Sequence, residues 1–492
     1  MNIADLISAH ASAFPVEDAI VTADRTFSFA DLDSMVLKCS ERLACHRIRA
    51  GDLVGITLRR GDPMGMVVTL GLARVGATSM YLPVERSADG RIRECRLFGV
   101  TAVVSDSSEN AVEGLGFVRF DESEWFDRNS DSGIASVESF YRPGQAWCLH
   151  IATGTTGRGL RAVMESHDSI VRQAAMYKAV RLAVPRDRLV LGLPLSVASG
   201  LRAAVRTVAN GATLIFPKSE ATHDVVAAAR DHGATQAHLT QIHVRKLLDE
   251  PPVQGGVLPD VKKLILGGFA TPPELIEEIA ARISPNIQVF YGATEIGVIS
   301  FASLAMLRQS PGSVGKVVPG LEVQVVDQDD RPVAVGDTGI LRIRGVALPD
   351  SYHRNVTETR RVFRGGWVYP GDMGSVDATG YIRIESRVDD FVKIGGHPIY
   401  LSKVDDALCG FPGVREAAAF AVVRGSGDTE IHAAVVWDGT PNEQALLSHC
   451  SHVVDRRAIP RSVTRLPALP RNAGGKLLRH KLAVRYLYGS DR

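Results

Sequence analysis

Short apolar strand patterns alternate with helical patterns along most of the chain, and this alternation limits the possible folds more than any other feature. In the first third, Asp52–Leu58 and Thr101–Ser105 are typical of buried strands, whereas Ala30–Cys45 and Asp62–Val75 have helical periodicity. The middle third continues the pattern with strand-like segments such as Val261–Leu266. Strands separated by helices favour parallel sheets that helices cover. We therefore expect an α/β fold with parallel-rich sheets in several layers.

A change of pattern near Arg387 divides the chain. From about Gly312 the strand segments become shorter and more antiparallel in character, and after Arg387 helices and strands are mixed. The chain has 492 residues, which is too long for one ordinary hydrophobic core. We predict a large N-terminal domain, residues 1–387, and a small α+β C-terminal domain, residues 388–492.

The composition excludes several classes of protein. With 45% hydrophobic and 23% charged residues, the chain has an ordinary globular composition. Its 56 basic and 55 acidic residues give a net charge of +1, which offers no electrostatic case for nucleic acid or an anionic membrane. Six cysteines without a CxxC pair favour a reducing compartment, and we find no secretory signal and no membrane-spanning apolar stretch. We expect a cytoplasmic protein.

The segment His150–Arg161 has the composition of a loop that binds an anion. Glycine lets the backbone wrap around an anion, and the threonine hydroxyls between the glycines donate hydrogen bonds. Arg158 and Arg161 add positive charge suited to a triphosphate. No Gly-Lys-Ser/Thr follows, so this is not a Walker loop, and a flexible hairpin is an equally good interpretation of the segment alone.

Two further segments place an acid at a turn. In Phe290–Glu295 a strand ends in Tyr291 and is followed by a hydroxyl and a carboxylate, a set that suits adenine, phosphate and magnesium. In Gly366–Gly374 a turn presents Asp372, which could accept hydrogen bonds from both hydroxyls of a ribose. Alone, the first is more typical of a routine strand exit and the second of an acidic turn.

Two glycine-containing segments lie towards the C-terminus. Arg387–Gly396 is a charged cluster followed by two glycines, which is compatible with a hinge or with a solvated linker. Leu469–Arg479 carries Lys476 in a glycine-rich loop, and a lone lysine there is typical of a surface charge.

In this order and spacing, the five segments resemble those of the superfamily of acyl- and aryl-CoA synthetases, peptide-synthetase adenylation domains and luciferases. The resemblance runs from about Phe27 to Leu482. It implies a large N-terminal adenylating domain and a small mobile lid that rotates between two half-reactions. In the first, a carboxylate attacks the α-phosphate of Mg-ATP and pyrophosphate leaves; in the second, a pantetheine thiol attacks the acyl-AMP. The implied cofactors are ATP, Mg²⁺ and either CoA or a phosphopantetheinyl carrier protein.

The resemblance also implies a role for each matching residue. The roles are the phosphate loop for Thr153, Gly154, Thr155, Thr156 and Gly157; the adenine site for Gly268, Phe269, Ala270 and Tyr291; phosphate and magnesium contacts for Thr294 and Glu295; the ribose for Asp372 and Arg387; the lid hinge for Asp389; the thiol tunnel for Gly395 and Gly396; and the bridge between substrate carboxylate and α-phosphate for Lys476.

The chain departs from the family pattern in several places, among them the phosphate loop and the acyl pocket. The phosphate loop has Gly159 in place of a proline and one extra residue, so that Arg161 falls at the position of the family's lysine. The segment Pro194–Val197 lacks the aromatic residue and the histidine that the family often has there. We expect an active member, because the residues for phosphate, ribose and carboxylate are present. The alternative is a catalytically degenerate nucleotide-binding protein.

The pocket segment predicts the class of acid. In the amino-acid-activating domains that this chain resembles, an aspartate after the Pro-Leu segment usually pairs with the α-ammonium group. Here Leu195–Ala204 contains no acidic residue, so a buried α-ammonium group would lack a partner, and we expect an aryl or a short to medium acyl acid. Since the chain ends soon after Leu482 with no attached carrier domain, the acceptor is CoA or, alternatively, a separate carrier protein. We expect a monomer or a homodimer. The predicted pocket residues are Ser196, Val197, Ala198, Gly267, Gly268 and Ala293.

Overall fold

The computed structural model describes residues 1–58, 63–126, 137–153, 160–268, 271–388, 391–394, 397–423, 429–471 and 477–489. The helices are α1 Ile3–Ala13, α2 Phe29–Cys45, α3 Met64–Val75, α4 Ala88–Phe98, α5 Glu122–Trp125, α6 His167–Ala179, α7 Ala198–Ala209, α8 Thr222–Asp231, α9 Gln241–Asp249, α10 Pro273–Arg282, α11 Leu304–Gln309, α12 Val356–Val362, α13 Leu401–Cys409, α14 Glu443–Val453 and α15 Arg479–Tyr488. The strands are β1 Asp18–Val21, β2 Thr26–Ser28, β3 Leu53–Thr57, β4 Thr78–Tyr81, β5 Ala102–Ser105, β6 Gly116–Arg119, β7 Ala146–Thr153, β8 Leu160–Ser166, β9 Arg188–Leu191, β10 Thr213–Ile215, β11 Gln236–Leu239, β12 Lys263–Gly267, β13 Ile287–Ala293, β14 Gly297–Ser303, β15 Lys316–Val317, β16 Leu321–Val326, β17 Gly339–Gly345, β18 Phe363–Arg364, β19 Trp367–Val368, β20 Asp372–Val376, β21 Ile382–Arg387, β22 Phe391–Ile394, β23 His397–Tyr400, β24 Val414–Val423, β25 Thr429–Trp437 and β26 Val463–Arg465.

Two compact units make up the chain. The first unit comprises Met1–Ala152, Arg161–Glu322 and Ile343–Val368. The second unit comprises Thr153–Leu160, Val323–Arg342 and Tyr369–Arg492. In the part of the chain that the structure describes, no helix is both long enough and apolar enough to cross a lipid bilayer.

The first unit contains two large sheets. One has nine strands in the order β15-β14-β13-β12-β11-β9-β10-β1-β2, and its central strands from β1 to β13 run parallel. The other has six strands in the order β6-β5-β3-β4-β7-β8, with β6, β5, β3, β4 and β7 parallel. Parallel strands need crossover connections, and helices supply them here.

Helices cover both faces of the nine-stranded sheet. On one face Val190, Leu264 and Leu266 pack in a cluster with residues of α8, α9 and α10. On the opposite face Leu189 and Leu191 pack in a cluster with α7. Because neighbouring residues of a strand point to opposite faces, this division follows from the near-continuous apolar sequence of each strand.

The second unit contains a smaller α+β structure. In it β24 pairs antiparallel with β25, and β25 pairs parallel with β26. Ala417 and Ala419 of β24 face α13, whereas Ala418 and Phe420 face a cluster that includes Leu482 of α15. A pair of short strands, β22 and β23, forms an antiparallel hairpin, and β20 pairs antiparallel with β21.

The predicted fold class is confirmed, and the local causes of the elements are visible. The helix expected over Ala30–Cys45 begins one residue earlier, because Ser28 caps it: the Ser28 hydroxyl accepts a bond from the Asp31 amide, and the Asp31 carboxylate accepts one from the Ser28 amide. The division at residues 387 and 388 stays a prediction.

We predict that Gly315→Ala lowers the melting temperature more than Gly312→Ala. Both glycines have positive φ, +87° at Gly315 and +77° at Gly312, so each alanine costs about 1 kcal/mol in backbone strain. At Gly315 a Cβ atom would also overlap the carbonyl of Phe301, whereas no atom lies within 4 Å at Gly312. Thermal unfolding followed by circular dichroism measures both shifts, and equal shifts would contradict the packing of β14 on this loop.

Candidate active site

The loop between β13 and β14 presents Thr294 and Glu295. A register shift between Tyr291 and Gly292 distorts the end of β13 just before this loop. Glu295 is only 8% exposed, and its carboxylate accepts a hydrogen bond from the hydroxyl of Tyr352. Burial and then the Glu295 carboxylate raise the pKa of Tyr352, so the phenol keeps its proton and acts as the donor. The predicted magnesium carboxylate is therefore held in a defined position.

Arg161 lies beside the same tyrosine. Its Nη1 donates to Oε2 of Glu358 at 3.0 Å, and its guanidinium carbon lies 5.3 Å from the centroid of the Tyr352 ring. Burial alone would raise the pKa of Glu358, but Arg361 and then Arg161 outweigh it and lower that pKa. The structure thus brings Arg161 and Glu295 into one cluster, with Glu358 as the counter-ion of Arg161. The contact of Arg161 with a phosphate stays a prediction.

A buried polar network lies behind Thr294. Nη2 of Arg202 donates to the backbone carbonyl of Thr294 at 2.9 Å, and Nε of Arg202 lies 3.1 Å from each carboxylate oxygen of Glu165. Nε2 of His150 lies 2.7 Å from the same carboxylate, and the amide nitrogen of Gln173 donates to it at 2.8 Å. The network therefore connects β7, β8, α6 and α7 to the loop that carries Glu295.

The surroundings of Glu165 and His150 determine their protonation states. Burial alone would raise the pKa of Glu165, but Arg202 and then His150 hold it at about 2, so Glu165 is a carboxylate. Burial, followed by the charge of Arg202, lowers the pKa of His150, so the imidazole is neutral and donates through Nε2–H. The His150–Glu165–Arg202 network thus contains one negative and one positive charge.

In the second unit, Asp372 and Arg387 are direct cross-strand neighbours. They stand opposite each other in the pairing of β20 with β21, and Nη1 of Arg387 donates to Oδ1 of Asp372 at 2.8 Å. Asp372 is 5% exposed and follows Gly371, whose φ of +85° favours glycine. The two residues predicted to hold the ribose are therefore brought together as an ion pair.

The residues predicted for the acyl pocket belong to three chain segments of the first unit. Ser196 and Val197 precede Ala198, the first residue of α7; Gly267 ends β12 and Gly268 follows it; and Ala293 ends β13. Because Arg202 lies one turn after Ala198 and donates to the carbonyl that follows Ala293, the first turns of α7 lie beside the end of β13. The third segment, at Gly267, ends a strand that pairs with β13, so the structure brings all three segments near one end of the sheet.

A cleft in the first unit has an empty volume of about 610 Å³, part of it open to solvent. It lies where β3, β4, β9 and β10 end, and its walls are mainly apolar. Of the predicted pocket residues described by the structure, Ser196 lines this cleft, as do Leu195, Tyr81 and Glu220. Its apolar walls suit the hydrocarbon part of an acid.

Several predicted site residues lie outside the described residues. Thr153 ends β7, but nothing is described of its side chain. The predicted residues that lie outside are Gly154, Thr155, Thr156, Gly157, Phe269, Ala270, Asp389, Gly395, Gly396 and Lys476.

The sequence analysis missed Tyr352, Glu358 and the His150–Glu165–Arg202 network. Tyr352 and Glu358 stand in no recognisable motif, and no local pattern indicates their contacts. Glu165 and Arg202 could have been noticed in the sequence, because each is a charged residue in an element made mostly of apolar or small residues. Such a charge is rarely buried unless it is paired.

Comparisons with known proteins bear on the family of this chain. The family model described as AMP-binding enzyme matches residues 7–353. The chain is 26% identical over 472 residues to 2-succinylbenzoate–CoA ligase of Bacillus subtilis, covering 95% of each chain. It is 27% identical over 515 residues to 3-hydroxybenzoate–CoA/4-hydroxybenzoate–CoA ligase of Thauera aromatica, covering 98% of this chain and 97% of the relative.

Solved structures agree on the fold. The o-succinylbenzoate CoA synthetase of Bacillus subtilis in complex with its acyl-adenylate OSB-AMP matches with a TM-score of 0.85 at 24% identity, covering 97% of both chains. MatB from Rhodopseudomonas palustris with bound ATP matches with a TM-score of 0.87 at 23% identity, covering 99% of both chains.

These matches extend over nearly the whole chain, and the family model alone covers more than half of it. The resemblance to adenylate-forming enzymes, inferred from five short segments, is confirmed. The expectation of an enzyme of the acid–thiol ligase class is confirmed by the relatives. The chain belongs to the AMP-binding enzyme family.

Proposed function

We propose that this enzyme activates a carboxylic acid without an α-amino group as its acyl-AMP and transfers the acyl group to CoA. In the first step a carboxylate oxygen bonds to the α-phosphorus of ATP, and the bond to the β-phosphate breaks, releasing pyrophosphate. In the second step the thiolate sulfur bonds to the acyl carbon, and AMP leaves with the electron pair. The full-length similarity to relatives named as CoA ligases supports CoA as the acceptor.

The observation that carries the proposal is the ordered loop at Thr294 and Glu295. Proteins usually hold Mg²⁺ with one or two carboxylates together with substrate phosphates, and Glu295 fits that donor set. Bound there, Mg²⁺ would neutralise charge on the phosphates. Among the described residues, no three His, Cys, Asp or Glu side chains form a separate metal site. Tyr352 orients the Glu295 carboxylate, and Arg202 fixes the Thr294 carbonyl.

The electrostatics of α7 support an acid that lacks an ammonium group. The helix begins at Ala198, in the predicted acyl pocket, and the charged residues within it are Arg202 and Arg206, both buried. A buried ammonium group near two guanidinium groups would be repelled and would find no carboxylate on this helix. An uncharged or negatively charged acyl group avoids that cost.

The direct test is acid-dependent exchange of pyrophosphate into ATP over a panel of aryl, acyl and amino acids. We expect exchange with acids that lack an α-amino group, followed by thioester formation with CoA. Exchange with amino acids alone would contradict the pocket argument. If a thioester forms only with a phosphopantetheinyl carrier protein, that protein and not CoA is the acceptor. ATP binding without exchange on any acid would indicate a degenerate nucleotide-binding protein.

A cytoplasmic location and a monomeric or homodimeric state stay part of the proposal.

We predict that Glu295→Gln lowers the rate of pyrophosphate exchange by roughly a hundredfold or more, because the amide keeps the shape but removes the charge that holds Mg²⁺. Raising the Mg²⁺ concentration should recover part of the loss. The matched control is Glu277→Gln, a carboxylate exposed on α10 that pairs with Arg308. Its exchange rate should equal that of the unchanged enzyme. An unaltered rate and Mg²⁺ dependence in Glu295→Gln would contradict the assignment.

We predict that Lys476→Ala abolishes acyl-AMP formation but spares thioester formation from acyl-AMP supplied ready-made. By the resemblance, the ammonium group acts on the α-phosphate as charge develops in the first step only. Burst experiments with ATP and with chemically prepared acyl-AMP separate the two steps. Equal loss in both steps would argue against this role.

A further inference from the structure

Helix α7 carries two buried arginines one turn apart, and within the described part of the chain a carboxylate is hydrogen-bonded to Arg202 but not to Arg206. Arg202 and Arg206 are 4% and 5% exposed. Glu165 is bonded to Arg202, and His150 beside it is neutral. In the cluster formed by these four side chains, the described residues therefore supply one carboxylate for two guanidinium charges. A buried charge without a counter-ion is costly, so the second guanidinium calls for an explanation.

The contacts of Arg206 leave its hydrogen-bonding capacity incomplete. Nη1 of Arg206 donates to the amide oxygen of Gln173 at 2.9 Å, and the guanidinium carbon lies 4.3 Å from the centroid of the Tyr177 ring. Nε of Arg206 is buried and has no hydrogen-bond partner among the described residues. A neutral amide and an aromatic face stabilise a guanidinium less than a carboxylate does.

Two more buried polar atoms without a described partner lie on the sheet face that α7 covers. His238 of β11 stands opposite Ile265 of β12, and Ile265 stands opposite Gln288 of β13, so the three side chains share one face. Ile265 packs against the cluster that contains α7. Nδ1 of His238 and Oε1 of Gln288 are buried and unpartnered within the described residues. Burial and then Arg206 lower the pKa of His238 to about 3, so this imidazole is neutral.

This polar layer is continuous with the predicted acyl pocket. Ala198, Arg202 and Arg206 lie at intervals of four residues, which places them along one face of α7. On the sheet, Gly267 stands opposite Phe290, two residues beyond Ile265 and Gln288 on the same face. The Phe290 ring stacks on Tyr177 with centroids 6.2 Å apart, and Arg206 covers Tyr177. Gly267 is thus linked to Arg206 through Phe290 and Tyr177, and His238 and Gln288 lie on the same face of the sheet.

We propose that the acid activated by this enzyme carries a second oxyanion, in the simplest case a second carboxylate, that binds at Arg206 and His238. The inference rests on the proposed function. A carboxylate oxygen accepts from Nε of Arg206 and from the Nδ1–H tautomer of His238. The amide of Gln288 can rotate by 180° to donate as well. The second carboxylate supplies the counter-ion that the buried guanidinium lacks.

The helix sets the spacing of the two carboxyl groups. Arg202 donates to the carbonyl of Thr294, beside which the proposed function places formation of the acyl-AMP bond, and Arg206 is four residues further along α7. Four residues of an α-helix span about 6 Å. A diacid whose carboxyl groups are separated by about one benzene ring or a three-carbon chain matches this distance.

The test compares each diacid with its monomethyl ester in pyrophosphate exchange, with terephthalate, isophthalate and glutarate as the diacids. Esterification removes the charge and keeps the reacting carboxyl group. We expect kcat/KM for at least one diacid to exceed that of its half-ester at least tenfold. In Arg206→Met this ratio should fall at least tenfold, and Arg206→Lys should retain part of it.

The ratio of two substrates within one variant is insensitive to a loss of folded enzyme, so a purely structural role of Arg206 would leave it unchanged. The matched control is Arg188→Met. Arg188 is the first residue of β9, and its guanidinium pairs with Asp18, so this change should leave the ratio of diacid to half-ester activity unaltered. Equal or better activity with the half-esters, or an unaltered ratio in Arg206→Met, would overturn the inference. Exchange with monoacids but with none of the diacids would overturn this inference and leave the proposed function standing. No exchange with any acid would overturn both.

Discussion

The buried ion pair between Glu165 and Arg202 is the interaction on which the geometry of the site depends. It joins β8 to α7, and through Nη2 of Arg202 it fixes the carbonyl of Thr294, next to the predicted magnesium carboxylate. Removing one partner of such a pair leaves an uncompensated buried charge, at a cost of roughly 3–5 kcal/mol. Placement of the loop and stability of the first unit are therefore linked, since the same side chains serve both.

The sequence predicts the elements well where the pattern is local. The helix expected over Ala30–Cys45 is α2, Phe29–Cys45, and the strand expected over Thr101–Ser105 is β5, Ala102–Ser105. Apolar periodicity and a capping residue at a helix start depend only on near neighbours in the chain, which explains this success. The segment at Thr294 and Glu295 was expected to follow a strand, and the structure places both residues directly after β13.

Contacts between distant parts of the chain could not be predicted in this way. His150, Glu165, Arg202 and Thr294 come from four separate elements, and their hydrogen bonds depend on how those elements pack. Glu358 is the clearest case: the sequence indicates Arg161 as a cation for phosphate, but not the carboxylate that balances it 197 residues later. With that counter-ion in place, Arg161 contributes less positive potential to an incoming triphosphate than its position in the sequence suggests.

The sign of the charges along α7 connects the fold to the choice of substrate. A helix made almost entirely of small and apolar residues can pack closely between sheet and neighbouring helices, and each arginine within it is then desolvated. Glu165 balances the charge of Arg202, and the Arg202 guanidinium holds the carbonyl of Thr294 in place. Among the described residues Arg206 contacts an amide and an aromatic ring, and its Nε–H is without a partner. In our proposal this donor is satisfied when an acceptor enters from the pocket. A cationic acyl group meets repulsion in this layer, and an anionic one completes it.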